Sequence, residues 1–188
     1  MFIHKIDDEL SLKLIDIRDS ERIFHLTEQS RAYLRQWLPW LDQTTELEHT
    51  KGFIKGCVTA FAEEKSMNTV ILYNDEAVGI AGYNVLDWNN KVGHIGYWLA
   101  KDFQGNGIMT RVAKALTDYA FDELRLNKVE IRAAVNNQRS RSIPERLGYV
   151  KEGEIRQAEW LYDHYVDHVI YGVLVSEWKE ERNNLKKR

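Results

Sequence analysis

Residues 104–107, with the sequence Gln-Gly-Asn-Gly, form a short glycine-rich segment that could bind a phosphate group. Immediately after them, apolar residues recur at helical spacing as far as Leu124, which predicts a helix that begins near Thr110. The first turn of a helix presents backbone N–H groups without an internal acceptor, and the helix dipole adds a partial positive charge. Glycines allow an anion to approach these groups closely. The segment therefore predicts a phosphate-binding turn at a helix start.

Two strands are predicted to hold this turn in place. The apolar run at residues 92–99 predicts a buried strand that leads, through a polar turn at 101–103, into the glycines. Residues 128–135 predict a second strand after the helix, since alternate residues along this stretch are apolar. A strand, a helix and a strand in this order form a crossover unit with parallel strands.

The rest of the chain predicts further elements around this unit. Residues 10–14 predict a strand, and Asp19 or Ser20 can cap the helix that follows. The aromatic segment 31–42, interrupted by Pro39, predicts a loop that either covers the core or binds substrate. Strands at 69–73 and 78–86 form an antiparallel meander with the strand at 92–99, and residues 149–162 and 168–175 form a terminal hairpin. Ser176 can start a C-terminal helix, and the charged tail 179–188 predicts a solvated end.

Two helices carry more specific predictions. A helix over 46–65 has one apolar face, formed by Leu47, Ile54, Cys57, Val58 and Phe61. A short helix ending at Gly148 has two candidate caps, Ser140 and Ser142. We favour Ser142, because Glu145 three residues later completes a capping box and Pro144 then falls in the first turn. With Ser142 as the cap, the Ser140 hydroxyl is not needed for capping and could have another role.

Composition limits the classes of function. The 188 residues predict one domain, 1–188, and the net charge of −3 argues against a general nucleic-acid binder. A local basic patch is still possible at Arg125, Lys128, Arg132, Arg139 and Arg141. The single cysteine, Cys57, falls in an apolar helical pattern and predicts packing rather than catalysis. The histidines form no metal-ligand pattern, and neither a signal peptide nor a membrane-spanning run is evident, so a cytoplasmic location is expected.

The order of these motifs resembles the GNAT superfamily of acetyl-CoA-dependent N-acetyltransferases. The resemblance rests on the turn Gln104-x-x-Gly107-x-Met109, the strand that ends at Asn136, and the stretch from Ser140 to Gly148. The segments at 37–40 (Trp-Leu-Pro-Trp) and 157–160 (Gln-Ala-Glu-Trp) are similar to the branch that acetylates N-terminal amines of ribosomal proteins. The resemblance implies an α/β (α+β) fold with a mixed, mostly antiparallel sheet in which one parallel pair is splayed for acetyl-CoA.

The resemblance also implies which residues bind the cofactor and the acceptor. The pyrophosphate of coenzyme A would lie on the backbone amides of Gln104, Gly105, Asn106, Gly107, Ile108, Met109 and Thr110. Met109 departs from the small residue usual at its position. The pantetheine arm would pass between the two parallel strands, against Tyr97, Trp98 and Leu99 on one side and Asn136 on the other. Trp37 and Trp40 would line the acceptor cleft.

The chemistry implied is direct transfer in a ternary complex, without an acyl-enzyme. An α-amine has a pKa of about 8 and a lysine of about 10.4, so a base is needed to obtain the neutral nucleophile. The resemblance assigns this role to Glu159. It makes Ser140 the proton donor to the leaving thiolate, unless that residue is simply a helix cap, and a strand amide near Leu99 could hold the oxyanion. His94 is an alternative proton carrier.

The sequence leaves the acceptor and the assembly open. The first hypothesis is the N-terminal α-amine of a ribosomal protein, and the alternatives are a polyamine, an aminoglycoside or an amino acid. A non-catalytic acetyl-CoA sensor is a further alternative. A homo-oligomer could form through exposed tyrosines of the terminal hairpin, at Tyr162, Tyr165 and Tyr171.

Overall fold

The computed structural model describes residues 3–185, and the strands among these residues form one mixed eight-stranded sheet. The strands are β1 (Ile3–Lys5), β2 (Leu10–Leu14), β3 (Met67–Tyr73), β4 (Glu76–Asp87), β5 (Val92–Leu99), β6 (Lys128–Ala134), β7 (Val150–Leu161) and β8 (His164–Leu174). Their order is β1-β2-β3-β4-β5-β6-β8-β7, and β5 and β6 form the parallel pair. The mixed α/β fold, the meander and the parallel crossover are thus confirmed. Strand β1 was not predicted.

Helices cover both faces of the sheet. They are α1 (Ser20–Leu34), α2 (Leu47–Ala62), α3 (Ile108–Asp122), α4 (Gln138–Arg146) and α5 (Val175–Leu185). Ile23 of α1 and Ile54 of α2 pack with Val70 and Ile80 on one face. Val112 and Leu116 of α3, together with residues of α4 and α5, pack with alternate strand residues on the other face. The strand side chains alternate between these two cores, as a sheet with two covered faces requires. No helix of the described residues is long and apolar enough to cross a membrane.

The start of α1 differs from the prediction. A 3₁₀ turn, Ile17–Asp19, precedes the helix. Asp16 caps this turn, because its side-chain oxygen accepts from the Arg18 backbone N–H at 2.9 Å. Asp19 occupies the cap position of α1 without a side-chain cap bond, and the Ser20 hydroxyl donates to the Ile17 carbonyl oxygen at 2.6 Å. The prediction of a side-chain cap from Asp19 or Ser20 is therefore wrong, because the preceding turn receives the cap.

The apolar face of α2 is narrower than predicted. Ile54 and Cys57 are buried, but Val58 is 47% exposed and Phe61 is 42% exposed. Because α2 contacts the sheet along the stripe through Ile54 and Cys57, residues at the edge of that stripe point outward. Burial raises the pKa of the Cys57 thiol to about 11, in keeping with the predicted packing role.

The capping prediction for α4 is also wrong. The helix begins at Gln138, and the Asn137 side-chain oxygen accepts from the Ser140 backbone N–H at 3.1 Å. The Ser142 hydroxyl instead donates to the Arg139 carbonyl oxygen at 2.9 Å. Pro144 lies inside the helix, where its missing N–H leaves the Ser140 carbonyl oxygen without its usual helical donor. Neither serine caps the helix, and the Ser140 backbone oxygen is available to another partner.

The terminal hairpin is confirmed, but its tyrosines differ in exposure. Tyr171 is only 1% exposed, so the prediction that it lies on the surface is wrong. Its side chain points toward α4, where its hydroxyl donates to Glu145 at 2.6 Å. Tyr165 is exposed, and Tyr162 is partly buried. Helix α5 begins at Val175, and the last three residues of the predicted tail, 186–188, lie outside the described residues.

Candidate active site

The parallel strands β5 and β6 separate partway along their length. They pair from Val92 with Lys128 to Ile95 with Ile131. Beyond this point β5 continues to Leu99 beside β4, and β6 continues to Ala134 beside β8. A wedge-shaped gap therefore opens in the middle of the sheet, and both of its walls carry backbone N–H and C=O groups that are not used between β5 and β6.

The glycine-rich loop lies at the wide end of this gap. Gly105 and Gly107 have φ values of 83° and 68°, in the left-handed region that favours glycine. A Cβ atom at either position would meet nothing within 4 Å, so the requirement is conformational and the space above the loop is open. Gly107 is the N-cap of α3 and supplies no side-chain cap, which leaves the amides of the first turn for a ligand. The Lys101 backbone N–H donates to the Ser30 hydroxyl at 3.1 Å and ties this connection to α1.

The side chains of Ile108 and Met109 point away from the loop surface. Ile108 is 1% exposed and Met109 is 7% exposed, and both belong to the core beneath α3. A large residue at position 109 is accommodated because its side chain packs into that core. The backbone amide of Met109 stays in the first turn of α3, so the departure from the usual small residue does not block the anion-binding geometry.

A cavity of about 1070 Å³ fills the gap and extends to both faces of the sheet. Its volume is sufficient for a large cofactor together with part of an acceptor. The predicted site residues that line it are Trp37, Tyr97, Trp98, Leu99, Gln104, Gly105, Gly107, Ile108, Met109, Thr110, Ser140 and Glu159. Asn106, Asn136 and Trp40 lie outside this lining. The Asn106 side chain donates to the Phe103 carbonyl oxygen at 3.2 Å, and Asn137 lines the cavity in place of Asn136.

Ser140 lies on the face of the sheet that α3 and α4 cover. Its hydroxyl is 3.4 Å from the Tyr97 hydroxyl, and Tyr97 donates to the Ser140 backbone oxygen at 3.1 Å. This is the carbonyl that Pro144 leaves free. Burial raises the pKa of Tyr97, so the phenol is neutral and can donate. The pair therefore provides two hydroxyl groups at one wall of the gap.

Glu159 lies on the opposite face. Residues paired across neighbouring strands point to the same face, and Glu159 pairs with Val166, two positions from His168. The Glu159 carboxylate and the His168 imidazole approach to 3.5 Å between Oε2 and Nε2. His94 lies on the same face, 3.7 Å from Glu130, and burial lowers its pKa. This face thus presents carboxylates and imidazoles next to the gap.

Aromatic residues border this face of the site. Trp40 packs against Trp98 with ring centroids 6.4 Å apart, so it contacts a residue of the cavity wall without lining the cavity itself. The Tyr162 hydroxyl donates to the Leu38 carbonyl oxygen at 2.5 Å, and the Arg35 guanidinium lies 3.9 Å from the centre of the Tyr162 ring. These contacts join the tip of the terminal hairpin to the loop between α1 and α2.

Some lining residues were not predicted. Arg139 donates to the Gln104 side-chain oxygen at 2.9 Å and connects the first turn of α4 to the glycine-rich loop. His168 also lines the cavity and was not among the predicted site residues. It pairs with Ala134 at the end of β6, and this strand register, which the sequence does not specify, places it at the gap. Lys128 and Arg132 both pair with Glu130, so these two cations of the suggested basic patch share one carboxylate.

The described residues contain no group of three or more His, Cys, Asp or Glu side chains placed to hold a metal ion. The groups that the structure brings to the gap are the backbone amides of the glycine-rich loop, the hydroxyl pair and the carboxylate–imidazole pair.

Comparison with known proteins assigns this arrangement to a family. The family model described as the acetyltransferase (GNAT) domain matches residues 9–150. YdaF of Bacillus subtilis (strain 168), whose name assigns it provisionally to the ribosomal N-acetyltransferases, is 33% identical over 183 residues, covering 97% of this chain and 100% of its own.

Two solved structures are similar over nearly the whole chain. RimL, a ribosomal L7/L12 alpha-N-protein acetyltransferase solved with coenzyme A, has a TM-score of 0.88 at 28% identity, covering 94% of this chain and 99% of its own. The microcin C7 self-immunity acetyltransferase MccE, solved with acetyl-CoA and AMP, has a TM-score of 0.87 at 27% identity, covering 91% of this chain and 95% of its own. The chain belongs to the GNAT family and is an N-acetyltransferase that uses acetyl-CoA.

Proposed function

We propose that this enzyme transfers the acetyl group of acetyl-CoA to the N-terminal α-amine of a ribosomal protein. The observation that carries the proposal is the gap between β5 and β6, which connects two chemically different faces of the sheet. The glycine-rich loop and Ser140 lie toward one face, and Glu159 and His168 lie on the other. A thioester in this gap would meet an amine arriving from the Glu159 side.

The proposed reaction proceeds by direct attack in a ternary complex. Glu159 accepts a proton from the ammonium form of the acceptor, directly or through a water molecule. The neutral nitrogen attacks the thioester carbonyl carbon, and the nitrogen of the tetrahedral intermediate, now positively charged, loses a second proton to solvent as the C–S bond breaks. The Ser140 hydroxyl, next to Tyr97, supplies a proton or hydrogen bond to the departing thiolate, and a proton from solvent restores the hydroxyl. An amide near Leu99 as the oxyanion donor remains a prediction from the sequence.

The charge of the acceptor face favours a peptide end over a polycation. Glu130 is already paired with Lys128 and Arg132. Among the described residues that line the cavity, Glu159 is the one carboxylate. Recognition of a polyamine or an aminoglycoside would require several uncompensated carboxylates around the amine. The relatives named above as ribosomal acetyltransferases support the same acceptor class.

A small-molecule acceptor is the second candidate, because the MccE structure contains AMP as well as acetyl-CoA. Coenzyme A release separates the candidates. We would incubate the purified protein with acetyl-CoA and one of four acceptors: a peptide with a free N-terminal serine, the same peptide with a blocked N-terminus, spermidine, or kanamycin. The proposal predicts thiol release with the free peptide alone. Release with spermidine or kanamycin but not the peptide would favour the second candidate, and coenzyme A binding without release would favour a sensor.

The cytoplasmic location and the homo-oligomer remain predictions from the sequence.

A further inference from the structure

The pairing of β7 with β8 changes register just before Glu159. Ile155 pairs with His168, and the next pair is Glu159 with Val166. Four residue steps on β7 are therefore matched to two on β8, which makes a bulge with two extra residues in β7. Gln157, in the middle of this bulge, has φ of 51°, an uncommon conformation for a residue with a side chain.

The bulge determines which part of β8 Glu159 meets. In the register of Ile155 and His168, Glu159 would lie opposite His164 at the hairpin tip instead of Val166. The bulge moves Glu159 by two residues, roughly 7 Å, toward the gap. Because the shift is even, the side chain stays on the acceptor face. The result is the 3.5 Å approach between the Glu159 carboxylate and the His168 imidazole.

Asp167 holds this bulge. Its Oδ1 accepts from the Gln157 backbone N–H at 2.7 Å. Its own backbone oxygen accepts from the Val135 N–H at 2.9 Å, just beyond the end of β6. The carboxylate thus connects the bulge to the strand that forms one wall of the gap. A hydrogen bond to an ionised acceptor is stronger than a neutral one and can offset the cost of the left-handed Gln157 backbone.

We propose that Asp167 is a positioning residue that acts through the bulge at Gln157 to set the location of Glu159. This inference rests on the proposed role of Glu159 as the base. Asp167 has no contact with the thioester in this account, and its effect is limited to the geometry of proton removal. Displacement of a catalytic group by about 1 Å can lower a rate by about 10²-fold, so a small relaxation of the bulge should be measurable.

The test is a double-mutant cycle in the N-terminal peptide assay. Asp167→Ala should lower kcat by roughly tenfold or more and leave the KM for acetyl-CoA unchanged. Asp167→Asn keeps an oxygen acceptor for the Gln157 N–H and should recover most of the rate. When Asp167→Ala is added to the Glu159→Gln variant, the residual kcat should fall little further, because both substitutions impair the same step, proton removal from the amine. Asp163→Ala, which removes an exposed hairpin carboxylate bonded to His164, is the matched control and should keep the wild-type rate.

Each outcome has a defined meaning. Equal kcat losses from Asp167→Ala on the wild-type and Glu159→Gln backgrounds would overturn the proposal, as would an Asn variant as slow as the Ala variant. A wild-type rate for Asp167→Ala alone would also overturn it. A wild-type rate for Glu159→Gln would instead refute the role assigned to Glu159 in the proposed function. If Asp167→Ala does not fold, Asp167→Glu, which displaces the carboxylate by one methylene, gives the same comparison.

Discussion

At the scale of the residue, the site depends on groups that the fold keeps on different faces of one sheet. Ser140 is available because Asn137 caps α4 and because Pro144 frees a carbonyl that Tyr97 then binds. Glu159 is close to the gap because a bulge changes its strand register. The availability of Ser140 and the location of Glu159 thus both depend on neighbouring residues to which no step of the reaction is assigned.

The first residue-scale prediction concerns Glu159. Glu159→Gln keeps the size of the side chain but cannot accept the amine proton, so kcat should fall by about 10²-fold or more. Acetyl-CoA affinity should be unchanged, because the proposed cofactor site is at the glycine-rich loop. Steady-state kinetics across pH and a direct coenzyme A titration provide the two measurements. A variant with the wild-type rate at every pH would remove Glu159 from the mechanism.

The second residue-scale prediction concerns Gly107. Gly107→Ala forces an alanine into the left-handed region and should lower the free energy of unfolding by about 1 kcal/mol. It should also weaken coenzyme A binding, since the added methyl group would occupy open space at the helix start, where the pyrophosphate is proposed to bind. Gly56→Ala, in the interior of α2 with no atom within 4 Å of the new Cβ, is the control and should stabilise the protein slightly. Equal effects of the two substitutions on binding would contradict the phosphate-binding role.

At the scale of the element, the sequence predicted the pattern of strands and helices better than their ends and registers. The crossover from β5 to β6 was predictable because local hydrophobic spacing specifies a strand, a helix and a strand. The cap of α4 was not, because Asn137 and Ser142 are both acceptable N-cap residues and the choice depends on where the helix meets the sheet. The bulge at Gln157 was also beyond prediction, since Asp167, on the neighbouring strand, provides its hydrogen bond.

The element-scale prediction concerns the turn before α1. Asp16 caps this turn and pairs with Arg18 at 2.7 Å and Lys13 at 3.4 Å. Asp16→Ala should therefore lower the free energy of unfolding at pH 7 by about 1 kcal/mol. The Arg18 hydrogen bond holds the pKa of Asp16 below its usual range. A group whose pKa is lowered by folding contributes stability above its unfolded pKa of about 3.9, and this contribution is lost as the pH falls toward the folded pKa.

The difference between wild type and Asp16→Ala should accordingly be smaller at pH 3 than at pH 7 in urea unfolding. Asp16→Asn keeps the oxygen that caps the Arg18 N–H but removes the charge, so its loss at pH 7 should be intermediate. A difference that does not change with pH would contradict the ionic part of this account.

At the scale of the whole molecule, the proposed cofactor and acceptor sites lie on different faces of the sheet and are connected through the gap. The acceptor side is bounded by segments that are distant in sequence, since Tyr162 of the terminal hairpin bonds to Leu38 between α1 and α2. Such a boundary can set acceptor affinity without affecting the cofactor site.

This arrangement predicts a selective effect of Tyr162→Phe. The ring that lies beneath Arg35 is kept, but the hydrogen bond to Leu38 is lost. The KM for the peptide should rise by roughly threefold to tenfold, the equivalent of one hydrogen bond, while the KM for acetyl-CoA stays the same. Tyr165→Phe keeps its ring contact with Trp160 and should change neither constant. An equal rise in both KM values would indicate a general loss of structure.

The most direct measurement identifies the nitrogen that receives the acetyl group. A peptide that begins with serine and contains one internal lysine would be incubated with the enzyme and acetyl-CoA, and fragment masses would locate the added acetyl group. We expect acetylation of the α-amine and none of the lysine. Acetylation of the lysine, or no peptide product from an enzyme that acetylates spermidine, would contradict it.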